Sequence, residues 1–139
     1  MSPPSDYAVL PLRYSSSWLG IGAFMLLTVV ALMLLPLGAP NVAPAYSDWF
    51  AHALVFCILM IWFSGILQRG YRWAIFAGLL LFGALLELLQ SFIDWRSGEF
   101  LDLVFNVIGL LIGWALVCAG MASWAQRLES VCFGESSSR

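Results

Sequence analysis

The chain reads as long apolar runs separated by short polar breaks. From Trp18 to Leu35 no charge interrupts a string of Leu, Val, Met, Ala and Phe, and Pro36 closes it. A helix of about 20 residues crosses the ~30 Å hydrocarbon core of a bilayer at ~1.5 Å per residue, so this run predicts a first span over residues 18–37. A Pro- and Gly-dense loop at 36–47 follows, and Ser47 at its end can cap a second apolar helix over 48–67. The basic turn QRGYR, centred on Gly70, separates this from a third run over 73–93, and the turn DWRSGE at 94–99 leads into a fourth over 100–124. Trp18, Trp49, Trp73, Trp95 and Trp124 fall at the expected helix ends, where interfacial aromatics belong. Residues 1–17, rich in Pro and Ser, predict a disordered tail. Residues 125–139 predict a second polar tail that begins by continuing the fourth helix. The expected fold is all-α: a polytopic membrane protein with four transmembrane helices in one domain over 18–124.

Composition narrows the class. Of 139 residues, 62% are hydrophobic and 10% charged, against about 25% charged in an ordinary soluble domain. A soluble fold of this size has too little interior to hide that much apolar surface, so the solvent must be a bilayer. The formal net charge of −2 argues against a nucleic-acid partner. Cys57, Cys118 and Cys132 show no paired or metal-type spacing and read as unpaired thiols. Ala43-Pro44-Ala45 resembles a signal-peptidase site. However, the preceding apolar run exceeds the ~7–15 residues of a signal h-region and only Arg13 stands before it, so the first helix is expected to remain.

With four spans, Arg13, Arg69, Arg72, Arg127 and Arg139 share one side of the membrane. Arg96, set between Asp94 and Glu99, stands on the other. The positive-inside rule then expects both termini in the cytoplasm. The turn at 94–99 would face outward, and with it several residues a bilayer should reject. An Asp, Lys or Arg at a helix centre costs roughly 2.5–3.5 kcal/mol on insertion, so such groups face a protein interior or a wet cavity and mark sites.

These residues are spaced to meet. Asp48 and His52 are four apart at the start of the second helix. Gly83, Glu87, Gln90 and Asp94 follow a 4-3-4 stripe on the third, and Asp102, Asn106, Gly109 and Gly113 a 4-3-4 stripe on the fourth. Topology carries all of them, with Arg96, to one end of the bundle. Asp48, His52, Glu87, Gln90, Arg96, Asp102 and Asn106 are therefore the expected ligand-binding residues, and His52, Glu87 and Asp102 the candidates for any catalysis. Plainer roles exist for most. Gly83, Gly109 and Gly113 suit close helix packing, Asn106 and Gln90 suit interhelical hydrogen bonds, and Asp48 and Asp102 suit the first turn of a helix. Glu87 and His52 are harder to explain that way, because a deep carboxyl must be neutral or paired. One histidine with carboxylates at unlinked spacings is not a zinc pattern, and no metal or other cofactor is expected.

The order Asp48-x-x-x-His52, Glu87-x-x-Gln90, Arg96 six residues before Asp102, then Asn106-x-x-Gly109-x-x-x-Gly113 resembles the VanZ-like family of small bacterial integral membrane proteins, over roughly residues 36–117. The chain departs from it at Trp49, where the family often has Lys, and at Phe56, where it often has Tyr. The resemblance implies a multi-pass protein of the bacterial cytoplasmic (inner) membrane, linked to glycopeptide (teicoplanin) resistance. Three readings of the pocket follow. It binds or modulates a membrane lipid or lipid-linked cell-wall precursor, with Arg96 as the phosphate contact. Or it is an intramembrane enzyme acting on a lipid carrier or phospholipid headgroup, with His52 as base and Glu87 as acid. Or it is a transporter or flippase subunit, for which a homo-oligomer built through the Gly stripe would supply further helices. No Ser or Cys stands beside His52, which argues against covalent acyl transfer, and binding is preferred to catalysis.

Overall fold

The computed structural model describes residues 8–35, 45–93 and 100–134. Five helices occur among them: α1 (Ser15–Leu34), α2 (Ala45–Ile66), α3 (Arg72–Gln90), α4 (Phe100–Cys118) and α5 (Trp124–Phe133), with short 3-10 turns at Arg69–Tyr71 and Met121–Ser123. The protein is all-α, and α1 to α4 are each long and apolar enough to cross a membrane. Their outward faces are what a bilayer requires. Phe24, Leu27, Trp73 and Phe100 are each more than two-thirds exposed, and a soluble monomer rarely shows so continuous an apolar surface.

In lipid no hydrophobic force drives helices together, so close packing and interhelical hydrogen bonds must do it. The tightest pair is α2 with α4, and glycine makes it possible. A Cβ on Gly109 would collide with the backbone carbonyl of Ala53, and one on Gly113 would lie 2.8 Å from both the Cys57 carbonyl and Met60 Cβ. On α3, a Cβ on Gly83 would lie 2.9 Å from Phe56 and 3.0 Å from Asn106 Nδ2. These glycines all face α2 or its neighbours in the site. Val29, Met33, Phe56, Leu59, Met60, Ile75, Leu79, Leu86 and Leu110 form the main core between the four long helices.

Both ends of the chain differ from the expectation. The fourth helix stops at Cys118 rather than near 124, because Gly120 takes φ 118°, a left-handed conformation that glycine adopts without strain. Residues 124–133 form the separate helix α5, which turns back onto the bundle. It docks through Trp124, whose indole occupies the space a Cβ on Gly65 would need and donates to the Ile61 carbonyl at 3.1 Å. Residues 8–14, within the expected disordered tail, are ordered as well. Leu10 N–H donates to Ile66 O at 2.8 Å and Gln68 N–H to Ala8 O at 2.9 Å, so an extended stretch closes the end of α2. Leu12, Ile66 and Ala125 form a small second core there, covered by Trp18, Trp62 and Trp124. Trp18 and Trp124 thus serve protein packing, while Trp73 is 72% exposed. The helix starts differ too: α1 begins at Ser15, and α2 begins at Ala45, so Ser47 lies inside α2 rather than capping it. Trp95 lies outside the described residues.

The half-buried Glu129 fastens α5 to this end. Its carboxylate accepts from Arg13 N–H at 2.8 Å, Tyr14 N–H at 3.0 Å and Trp18 Nε1–H at 2.8 Å. Two of these donors are backbone groups just ahead of α1, where a helix leaves N–H groups unmet. Burial alone would push the Glu129 carboxyl up, but the Trp18 indole, the two backbone N–H groups and the Arg13 charge outweigh it and hold it below its ordinary range.

Candidate functional site

The end of the bundle opposite the termini gathers the polar residues. His52 lies seven residues inside α2, Glu87 three residues before the end of α3, and Asp102 and Asn106 in the first and second turns of α4. Because α2 and α4 begin, and α3 ends, on the same side, the three side-chain sets converge. His52 is the hub and is 2% exposed. Its Nδ1 is 3.0 Å from Asn106 Oδ1 and 3.7 Å from Glu87 Oε1, and its Nε2 is 4.0 Å from Asp102 Oδ2. With the proton on Nδ1, the imidazole donates to the Asn106 carbonyl oxygen and turns Nε2 toward Asp102.

Asp48 stands one turn earlier on α2, on the same face as His52 but exposed. One ligating atom from each of Asp48, His52 and Asp102 lies within 4.8 Å of the others. These are the three residues that could hold a divalent ion. The set is looser than a formed site, where ligand atoms ~2.0–2.2 Å from one zinc lie roughly 3–3.6 Å apart. The second shell such a site wants is present, since Asn106 already fixes the other nitrogen of the ring.

One turn below His52, Phe56 is completely buried against Gly83 and closes the site toward the bundle centre. Asn106 Nδ2 lies at the same level, buried and without a hydrogen-bond partner among the described residues. Around the cluster, Phe50, Leu54, Leu88 and Phe100 are more than half exposed. A polar interior is thus ringed by an apolar rim.

Of the residues expected to share the site, the structure brings together Asp48, His52, Glu87, Asp102 and Asn106. Gln90 goes elsewhere. It is 2% exposed and its Nε2 donates to the Met33 carbonyl of α1 at 2.9 Å, meeting one of the carbonyls that the last turn of a helix leaves unpaired. Arg96 and Asp94 lie outside the described residues. Gly83, Gly109 and Gly113 sit at helix contacts, as described. Cys57, Cys118 and Cys132 are free. Sequence reasoning passed over Ser64, Gly65 and Glu129. Glu129 had a signal, since it follows Ala125 by four residues and so repeats along one face of a helix.

Fold and cluster together define a class: a multi-pass α-helical membrane protein with a buried, histidine-centred polar site near one end of its bundle. Comparison of the chain with protein-family models, with curated proteins and with solved structures gives no match, so its function must be argued from the site itself.

Proposed function

We propose that this is a VanZ-like protein of the bacterial cytoplasmic membrane whose His52-centred pocket binds the headgroup of a lipid-linked envelope component. On this reading it bears on susceptibility to glycopeptides such as teicoplanin. The observation that carries it is the convergence of three helices on one buried imidazole, with Asn106 at 3.0 Å, Glu87 at 3.7 Å and Asp102 at 4.0 Å. Polar groups within about two turns of the helix ends lie just beneath the headgroups, within reach of a headgroup that dips into the bundle, and the exposed apolar rim suits the acyl chain. Three carboxylates and an amide oxygen are acceptors, so they suit the hydroxyls and amines of a sugar–peptide headgroup. A phosphate would fall to Arg96, which lies between Glu87 and Asp102 in the sequence. The positive-inside expectation supports the reading, since it turns this end outward, where lipid-linked precursors are used.

The test is binding by the purified full chain in nanodiscs, titrated with a lipid-linked cell-wall precursor and with a plain phospholipid of equal charge. The precursor should bind preferentially, and His52→Ala and Asp102→Asn should weaken it by about tenfold or more, the loss expected when a buried charged or polar partner of roughly 1.5–3 kcal/mol is removed. Equal binding of both lipids, or unchanged affinity in both variants, would remove the proposal.

One arrangement favours a second reading. Asn106 holds Nδ1 while Nε2 faces Asp102 and, nearby, Asp48. An oriented imidazole of this kind can act as a general base or as a metal ligand in hydrolysis at a lipid headgroup. Product formed from a labelled envelope lipid by the wild type, and lost in His52→Ala and Glu87→Gln, would establish the enzyme.

A further inference from the structure

A second recess lies at the other end of the bundle, independent of the His52 site. The end of α2, the turn at Arg69–Tyr71, the end of α4 and the start of α5 enclose about 670 Å³ there. Three arginines line it, Arg69, Arg72 and Arg127, and no Asp or Glu among the described residues does. Ser64, also in its wall, is 3% exposed, and its Oγ has no hydrogen-bond partner among the described residues. A serine inside a helix commonly bonds back to the carbonyl four residues earlier, as the hydroxyl of Thr28 does to Phe24 O at 2.8 Å. Ser64 does not. Nε of Arg72 is likewise buried without a partner. A concave, acid-free surface lined by three arginines, with a buried hydroxyl and a buried guanidinium N–H in its wall, has the chemistry to take a multivalent oxygen anion.

The surroundings say which anion. A smaller recess of about 430 Å³, lined by Ala119, Gly120, Met121, Trp124 and Arg127, shares Gly120 and Arg127 with the first. Apart from Arg127 its lining is apolar, so an apolar path adjoins the charges. Both recesses lie where α2 and α4 end, which is headgroup depth for helices of this length. A free phosphate would use the charges and leave that path empty, whereas a lipid uses both.

We propose that this recess binds the phosphate of an anionic membrane phospholipid between Arg69, Arg72 and Arg127, with Ser64 donating to it and the start of an acyl chain running past Met121 and Trp124. Basic pockets between transmembrane helices take anionic headgroups in this way, and if this end faces the cytoplasm it meets the leaflet that supplies them. The function proposed for the His52 site does not enter the argument.

The experiment is lipid retention by the full chain in a neutral detergent, read by native mass spectrometry with phosphatidylglycerol and phosphatidylcholine offered together, with and without excess inorganic phosphate. Phosphatidylglycerol should be retained preferentially and survive the phosphate. Replacing all three arginines by glutamine should weaken it on the order of a hundredfold, taking about fivefold per charge, while lysine at the same positions keeps most of the preference. Ser64→Ala should weaken it a few-fold without changing the retention of phosphatidylcholine. If the triple glutamine variant does not fold, Arg127→Gln alone, on the exposed face of α5, should cost about fivefold. Equal retention of the two lipids, an unchanged Arg127→Gln variant, or displacement of phosphatidylglycerol by inorganic phosphate would each overturn the proposal, the last by making this a site for free anions.

Discussion

An imidazole 2% exposed between groups from two other helices is held by more than packing. At the level of single residues the account rests on the contact between His52 Nδ1 and Asn106 Oδ1 at 3.0 Å. Interhelical polar contacts in membranes are modest, averaging about 0.6 kcal/mol and reaching about 1.7. A double-mutant cycle with His52→Ala and Asn106→Ala, measured by unfolding in mixed micelles, should therefore give a coupling of about 0.5–1.7 kcal/mol. Additive effects would mean that the two side chains do not act on each other. Gln90 could not be separated from this group by its position along the chain. Its position in the 4-3-4 stripe with Glu87 is real, but its partner is a carbonyl at the end of α1, and nothing in residues 83–94 says where α1 ends. Asp102 and Asn106 were easier to place, because four residues apart at a helix start leaves both on one face, and α4 turns that face to α2.

Among the elements, α2 and α4 are joined by absence of side chain. Gly109→Ala should lower stability by about 1–3 kcal/mol, since the added methyl meets the Ala53 carbonyl and backbone cannot yield as a side-chain tip can. Gly78→Ala, with nothing within 4 Å of the added atom, should be neutral or slightly stabilising. Equal effects in a common unfolding assay would contradict the packing described. The α5 contact makes a different prediction. The folded-state carboxyl of Glu129 is held below its ordinary range, so its contribution is present above the unfolded value of about 4.3 and is lost as pH falls through the lower folded value. Protection of the Arg13 and Tyr14 amides, taken relative to intrinsic exchange at each pH, should be high at neutral pH and fall as acid titrates the Glu129 carboxylate. In Glu129→Gln that protection should be lower at neutral pH and no longer change with acid. Apolar runs made the four long helices legible, because length and hydropathy alone decide what spans a bilayer. The fifth was not: its docking depends on the indole of Trp124 filling the notch at Gly65, 59 residues earlier in the chain by number, and on one carboxylate reaching the N-terminal segment.

Over the whole molecule the two ends are chemically opposite. The end near the termini carries Arg13 beside Glu129, and Arg69, Arg72 and Arg127 around a basic recess. The other gathers His52 among Asp48, Glu87 and Asp102. Between them runs an apolar core closed by glycine contacts. The division into a basic and an acidic end was readable from charge positions along the chain. The depth of His52 beneath Asp48 was also readable, since it follows from helical spacing. What could not be read was the recess at Ser64, because it is made by the return of α5 and not by any local pattern. The most direct test of the central claim is an experimental map of the protein prepared with its native lipids. The account predicts one elongated density entering from the apolar rim, its polar end within about 3.2 Å of His52 or Asp102. Acyl chains packed directly against the imidazole, with Glu87, Asp102 and Asn106 turned to separate neighbours, would contradict it.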